Sequence, residues 1–176
     1  MHIRFIDEGG IKNMYILTEE EFEEKYNLYS QELMNISYGY TRNRDDSLDI
    51  IQNVFYKLFN SKKSFSTQLD EKYWLIRVTI NECKDYLRKK SRIVILDYDT
   101  IDFISFKTDA DEENLRLYKL SERVESLPEK YKVVIILYYY DSQPIKEIME
   151  ILKLSESAVK KRLERARNML KKEMEE

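Results

Sequence analysis

At 176 residues the chain is long enough for one ordinary domain or two small ones, and its 43% hydrophobic and 36% charged composition, with three Gly and two Pro, favours helices. A net charge of −3 excludes a uniformly basic nucleic-acid coat, so any basic surface must come from local segregation of charge. The single cysteine, Cys83, forms no internal disulfide, and no apolar run is long enough for a signal peptide or a membrane span, which makes a reducing cytoplasm the expectation. There is no GxxxxGK(S/T) loop, no GxSxG elbow and no Cys/His ligand spacing, and the only histidine is His2. An enzyme, a metal site and a cofactor are therefore not expected.

Residues 1–17 form an N-terminal tail before the first helix start. Asp7-Glu8-Gly9-Gly10 ahead of Met14 leaves two readings open, an ordinary tail or a translated ribosome-binding sequence with Met14 as the natural start. Thr18 with Glu21 makes a capping box, after which Phe22, Tyr26, Tyr29, Leu33, Ile36 and Tyr40 recur at helical spacing. A second helix is expected from about Asp45 to Asn60, with Leu48, Ile51, Val54, Phe55 and Leu58 inward and Asp49, Gln52, Asn53 and Lys57 on the other face. Ser61–Gln68 reads as a loop, and a third helix over Glu71–Arg92 turns Leu75, Val78, Thr79, Cys83, Tyr86 and Leu87 to one side and ends in a basic third. Cys83 reads as a small buried residue, and Trp74 as a packing group.

From Ile93 to Asn114 helical periodicity is lost and seven acids stand against one base, which reads as an acidic linker between two helical domains. Helical pattern returns with Leu117, Leu120, Val124 and Leu127 on one face. Pro128 opens a helix running to Tyr140, of which VVIILYYY is the buried centre with Tyr138–Tyr140 as packing groups; Pro144 opens the next, with Ile145, Ile148, Met149 and Leu152 inward. A tight turn at Lys153–Ser155 leads into LSESAVKKRLERARNMLKK, with seven Lys/Arg against two acids and Val159 and Leu163 inward. Two short helices joined by a tight turn make a helix-turn-helix pattern. With Ser155 as N-cap, Glu156, Ser157, Ala158 and Lys160–Arg162 occupy the first turns, from which Lys and Arg reach base edges in a major groove. Arg165, Arg167, Lys171 and Lys172 would then meet phosphates. A solvated basic face on a bundle helix is the other reading of this segment taken alone.

Three separated segments, DIIQNVFYKLF (Asp49–Phe59), WLIRVTINECKDYLRKKSR (Trp74–Arg92) and LPEKYKVVIILYYY with IKEIMEILKLSESAVKKRLERAR (Leu127–Arg167), taken in this order, resemble an extracytoplasmic-function sigma factor of bacterial RNA polymerase. The resemblance implies an all-α fold of two small domains: sigma region two over 18–92, the acidic linker over 93–113 and region four over 114–176. It implies a transcription initiation factor without a small-molecule substrate, whose partners are the β and β′ subunits of core polymerase, promoter DNA and an anti-sigma factor. Asp49, Gln52 and Asn53 would face the β′ clamp. Asn81, Lys84, Arg88, Lys89 and Arg92 would contact the minus-ten element, and the loop Ser61–Leu69 with Phe65 would hold a base flipped from the non-template strand. Glu156, Ser157, Ala158, Lys160, Lys161, Arg162 and Arg165 would read the minus-thirty-five element, with Arg167, Lys171 and Lys172 on phosphates. The chain departs from the pattern at Lys153, where Gly is usual, at Met149 for Ala, at Asn53 for an acid and at Gln143-Pro144. The reading from another class is a stand-alone helix-turn-helix regulator whose N-terminal helices serve dimerisation or sensing.

Overall fold

The computed structural model describes residues 4–5, 12–13, 18–61, 63–96 and 122–175, with side chains over 18–61, 63–91 and 122–172. Contacts divide the chain into two compact units, Met1–Glu82 and Cys83–Glu176, and the division falls inside a continuous helix. In the N-terminal segment β1 (Arg4–Phe5) pairs antiparallel with β2 (Lys12–Asn13), Arg4 opposite Asn13. Every other element among the described residues is helical.

Helices α1 (Glu19–Thr41), α2 (Arg44–Phe59) and α3 (Gln68–Leu96) each begin on a side-chain cap. Thr18 Oγ1 accepts from the Glu21 amide at 3.2 Å while the Glu21 carboxylate accepts from the Thr18 amide at 2.9 Å, completing the expected capping box. Asn43 Oδ1 accepts from the amides of Asp45 and Asp46, whose carboxylates suit the positive end of the α2 dipole. Thr67 Oγ1 accepts from the Asp70 amide and donates to its carboxylate, so α3 starts at Gln68 and takes Gln68 and Leu69 out of the expected loop. At its other end α3 runs on to Leu96, which makes 93–96 helical, while 97–113 of the acidic linker and Leu117 and Leu120 lie outside the described residues.

The first unit closes around Tyr29, Leu33, Ile36 and Tyr40 of α1, Ile50, Ile51, Val54, Phe55 and Leu58 of α2, and Leu75, Ile76 and Thr79 of α3. Two members of the expected α1 stripe stand apart, for Phe22 is half-buried and Tyr26 exposed. Likewise Leu48, Val78, Tyr86 and Leu87 are only half-buried. Cys83 is fully buried, as its neighbours in sequence imply. Ion pairs tie α3 to the other two helices: Lys25 to Glu71 at 2.6 Å, Lys72 to Glu32 at 2.8 Å, and Lys57 to Glu82.

In the second unit a helical segment, α4, is described over 122–126 and is followed by α5 (Glu129–Ile135). The expected regular helix to Tyr140 is regular only that far, and Ile136–Tyr140 continues it as a π-helix. The Asp141 amide reaches back to the Ile136 carbonyl at 3.1 Å and the Gln143 amide to that of Leu137 at 2.8 Å. Residues Lys132 to Leu137 are all buried, so this is the central helix of the unit, while Tyr139 stands 53% exposed. The wide turn also brings Asp141 and Gln143 inside, joined by a 2.7 Å hydrogen bond from Gln143 Nε2 to Asp141 Oδ2. Pro144 sits at the N-cap of α6 (Ile145–Leu152), which offers Ile148 and Ile151 to the core, while Ile145, Met149 and Leu152 are half-buried.

Between α6 and α7 (Glu156–Glu175), Lys153 adopts the left-handed conformation at φ 54°, ψ 50°. The amides of Lys153 and Leu154 both bond the Met149 carbonyl, and Ser155 Oγ accepts from the Ala158 amide at 3.3 Å to cap α7. A side chain with a Cβ is strained there by about 1 kcal/mol. Lys153→Gly should therefore raise stability by about 0.5–1 kcal/mol, read as a higher urea midpoint at unchanged m-value; a lower midpoint would refute the strain.

Candidate polymerase and nucleic-acid surfaces

Burial of Ile50, Ile51, Val54, Phe55 and Leu58 fixes what α2 shows to solvent. Asp49, Gln52 and Asn53 are all exposed on that outer side, as one surface. Tyr56, one turn further and 68% exposed, joins them, a member that polarity patterning missed although its spacing of three and four from Asn53 and Gln52 places it there. Beside it Phe22, Tyr26, Gln52, Phe55, Tyr56 and Phe59 line a recess of about 560 Å³. Phe22 meets Phe55 and Phe59 edge to face at 5.8 and 6.0 Å, and Tyr26 lies 4.9 Å from Phe55. The surface is thus polar and acidic along one row and aromatic along the next.

At the far end of α2 the segment 61–67 and the start of α3 border a second recess of about 450 Å³. Phe65 lines it, its ring tilted against Trp74 at 5.5 Å, while Lys63 Nζ stands 5.4 Å over the Trp74 ring. Trp74 is half-buried as the packing reading expects. The floor holds Glu71, almost fully buried, with both carboxylate oxygens 2.6 Å from Lys25 Nζ and Oε2 3.4 Å from the Tyr29 hydroxyl. Burial, reinforced by the negative Glu71 beside it, pushes the Tyr29 phenol up to about 12. Nothing in the sequence pairs Lys25 with Glu71, 46 residues apart. Along α3, Asn81, Arg88 and Lys89 are exposed and Lys84 is half-buried; Arg88 bonds Asp85 at 2.9 Å. The side chain of Arg92 lies outside the described residues.

In α7 the buried stripe is Val159, Leu163 and Ala166. Glu156, Ser157, Lys160, Lys161, Arg165, Arg167, Lys171 and Lys172 are exposed, and Ala158 and Arg162 are half-buried. Glu156 pairs with Lys160 at 2.6 Å, and a hydrogen bond from Lys160 with its charge holds the Glu156 carboxyl below its usual range. Arg167 Nε donates to the Tyr139 hydroxyl at 2.9 Å. Tyr138 and Tyr140 are half-buried, whereas exposed Tyr139 departs from the expectation that all three pack inside.

Two protein families match these segments: Sigma-70 region 2 over residues 26–93 and Sigma-70, region 4 over residues 117–170. The chain is 30% identical over 143 residues to the RNA polymerase sigma factor SigV of Bacillus subtilis (strain 168), covering 81% of this chain and 84% of that one. The chain belongs to the sigma-70 family, in its extracytoplasmic-function group. It is an alternative sigma factor, acting in promoter-directed transcription initiation with core RNA polymerase. Another relative, the ECF RNA polymerase sigma factor SigX of the same organism, is 29% identical over 167 residues, 89% of this chain and 85% of its own. The fold matches the sigma factor RpoE of Bartonella quintana, solved with the anti-sigma factor NepR, at a TM-score of 0.65 and 21% identity, over 89% of this chain and 98% of that one. It also matches CnrH, solved with the cytosolic domain of CnrY, at a TM-score of 0.64 and 19% identity, over 90% of each chain. Among the described residues no helix is long and apolar enough to cross a membrane.

Because the phenol of Tyr29 titrates near 10 when unfolded and about 12 when folded, the native state holds its proton more tightly. That share of stability is present below pH 10 and is lost as pH rises towards 12. Urea unfolding from pH 9 to 12 should show a steeper alkaline decline for the wild type than for Tyr29→Phe; parallel curves would rule out the linkage.

Proposed function

We propose that this sigma factor uses three surfaces, each assigned to one partner. Asp49, Gln52 and Asn53, extended by Tyr56, meet the β′ clamp of core polymerase. Asn81, Lys84, Arg88, Lys89 and Arg92 track the upstream edge of the minus-ten element, and the recess beside Phe65 receives a base flipped from the non-template strand. Glu156, Ser157, Ala158, Lys160, Lys161, Arg162 and Arg165 read the minus-thirty-five element, and Arg167, Lys171 and Lys172 sit on phosphates. In this reading region two spans 18–92, the acidic linker 93–113 and region four 114–176, the protein has no catalytic site of its own, and it works in the cytoplasm beside the polymerase.

The observation that supports the reading most is α7 itself. A left-handed turn at Lys153, a serine cap and a buried Val159–Leu163–Ala166 stripe leave the first turns of a cationic helix exposed. Positions that can reach base edges come first and arginines and lysines follow, the order a major-groove reader needs. Weak contacts at the two elements gain from being carried on one polymerase, since the second binding event then occurs at high effective concentration. Both solved neighbours hold an anti-sigma factor or its counterpart, and a partner of that class is proposed here as the restraint on free sigma.

Run-off transcription with purified core polymerase tests the assignment. Wild-type protein should direct a specific transcript, and Asp49→Arg or Gln52→Ala should cut it, the charge reversal by about tenfold or more. Promoter binding that is equally tight without core enzyme, together with a stable dimer, would instead favour a stand-alone regulator.

A further inference from the structure

At 100° per residue, Arg165 and Arg167 leave α7 on opposite flanks of its buried stripe, and each meets a tyrosine from the α5–π-helix segment. Arg167 Nε donates to the Tyr139 hydroxyl at 2.9 Å. Its guanidinium also lies 5.7 and 5.8 Å from the ring centroids of Tyr138 and Tyr139, which pack edge to face at 4.9 Å. On the other flank the Arg165 guanidinium is hydrogen-bonded to the Tyr131 hydroxyl, which holds that phenol below its usual range.

An exposed arginine ordinarily spreads over many rotamers, and a ligand must freeze them on binding. Here one hydrogen bond and two aromatic faces have oriented the side chain beforehand. The bond uses Nε, so the two terminal nitrogens, which match phosphate oxygens as a fork, remain for another acceptor. As a staple between helices the contact has little value, because both side chains are exposed. As an aiming device it needs no burial. The π-helix is what gives Tyr139 this position, since the five residues before it, from Val134 back to Lys132 and on to Leu137, all face the core.

We propose that Tyr139 is a positioning residue for promoter binding: it holds the Arg167 guanidinium ready for a DNA phosphate beside the minus-thirty-five element. The proposal rests on the reading of α7 as the DNA helix. Tyr131 and Arg165 form the corresponding pair on the opposite flank.

The test is holoenzyme affinity, against salt, for a duplex that the holoenzyme itself selects from a randomised pool. Tyr139→Phe should weaken binding roughly three- to tenfold, the range of one hydrogen bond, without changing the salt slope. Arg167→Ala should weaken it further and lower the slope by about one, as loss of one phosphate contact requires. Tyr139→Phe should add nothing in the Arg167→Ala background, nor in Arg167→Lys, which keeps the charge but lacks the fork. Equal or tighter binding by Tyr139→Phe, or an additive double variant, overturns the proposal. Equal melting temperatures separate positioning from folding; if Tyr139→Phe melts lower, silence in Arg167→Lys decides, because a folding defect would persist there. Lys161→Ala marks the other boundary. If it weakens binding while the Arg167 variants do not, only this proposal falls; if it too is silent, the reading of α7 falls and takes the proposal with it.

Discussion

A helix in a unit this small must bury one face, and burying it settles where the other face points. That constraint organises both halves of the chain. In α2, five apolar residues turned inward leave Asp49, Gln52, Asn53 and Tyr56 as one outward surface. In α7, Val159, Leu163 and Ala166 do the same for a cationic row. A chain with a net charge of −3 can thus present a basic helix, because segregation by helical phase, not overall composition, decides what a partner meets. The left-handed turn at Lys153 carries the same logic from residue to element, since it sets the angle at which α7 leaves α6.

The polar interior of the first unit follows a different economy. Lys25 and Glu71 bring opposite charges into a nearly closed site, and such a pair holds only if each partner is well bonded. Both carboxylate oxygens meet the ammonium, and the Tyr29 hydroxyl stands alongside. Removing one partner would leave the other charge buried, so these residues specify the packing of α1 on α3 more than they add to its strength.

Much of this was legible in the sequence, for local reasons. The Thr18–Glu21 box, the Ser155 cap, the left-handed Lys153 and the inward stripes of α2 and α7 are all short-range rules that one segment states by itself. The start of α3 was legible too, for Thr67 and Asp70 have capping-box spacing, but the serines and lysines around them read as loop. What was not legible depends on distant partners. VVIILYYY shows no periodicity because it is buried all round, so nothing in it marks where α-helix gives way to π-helix. Lys25–Glu71 and Arg167–Tyr139 join residues 46 and 28 positions apart, and among so many charges no pattern singles them out. The site residues themselves came from resemblance across three segments. Their exposure is visible in the structure, whereas their partners are a matter for experiment.

The π-helix carries a further meaning when chain length is considered. A turn closed from residue i to i+5 accommodates one residue more than regular helix would over the same rise. Taking one residue out of Ile136–Tyr140 would restore the ordinary ladder but rotate everything before it by about 100° against everything after it. Val133 to Leu137 are packed on one side of that joint, and Asp141 and Gln143 are buried on the other, so neither side can turn to compensate. Substitution within this segment alters a contact, but deletion alters the phase between two packed elements. The chain can therefore tolerate changes of kind here far better than changes of number.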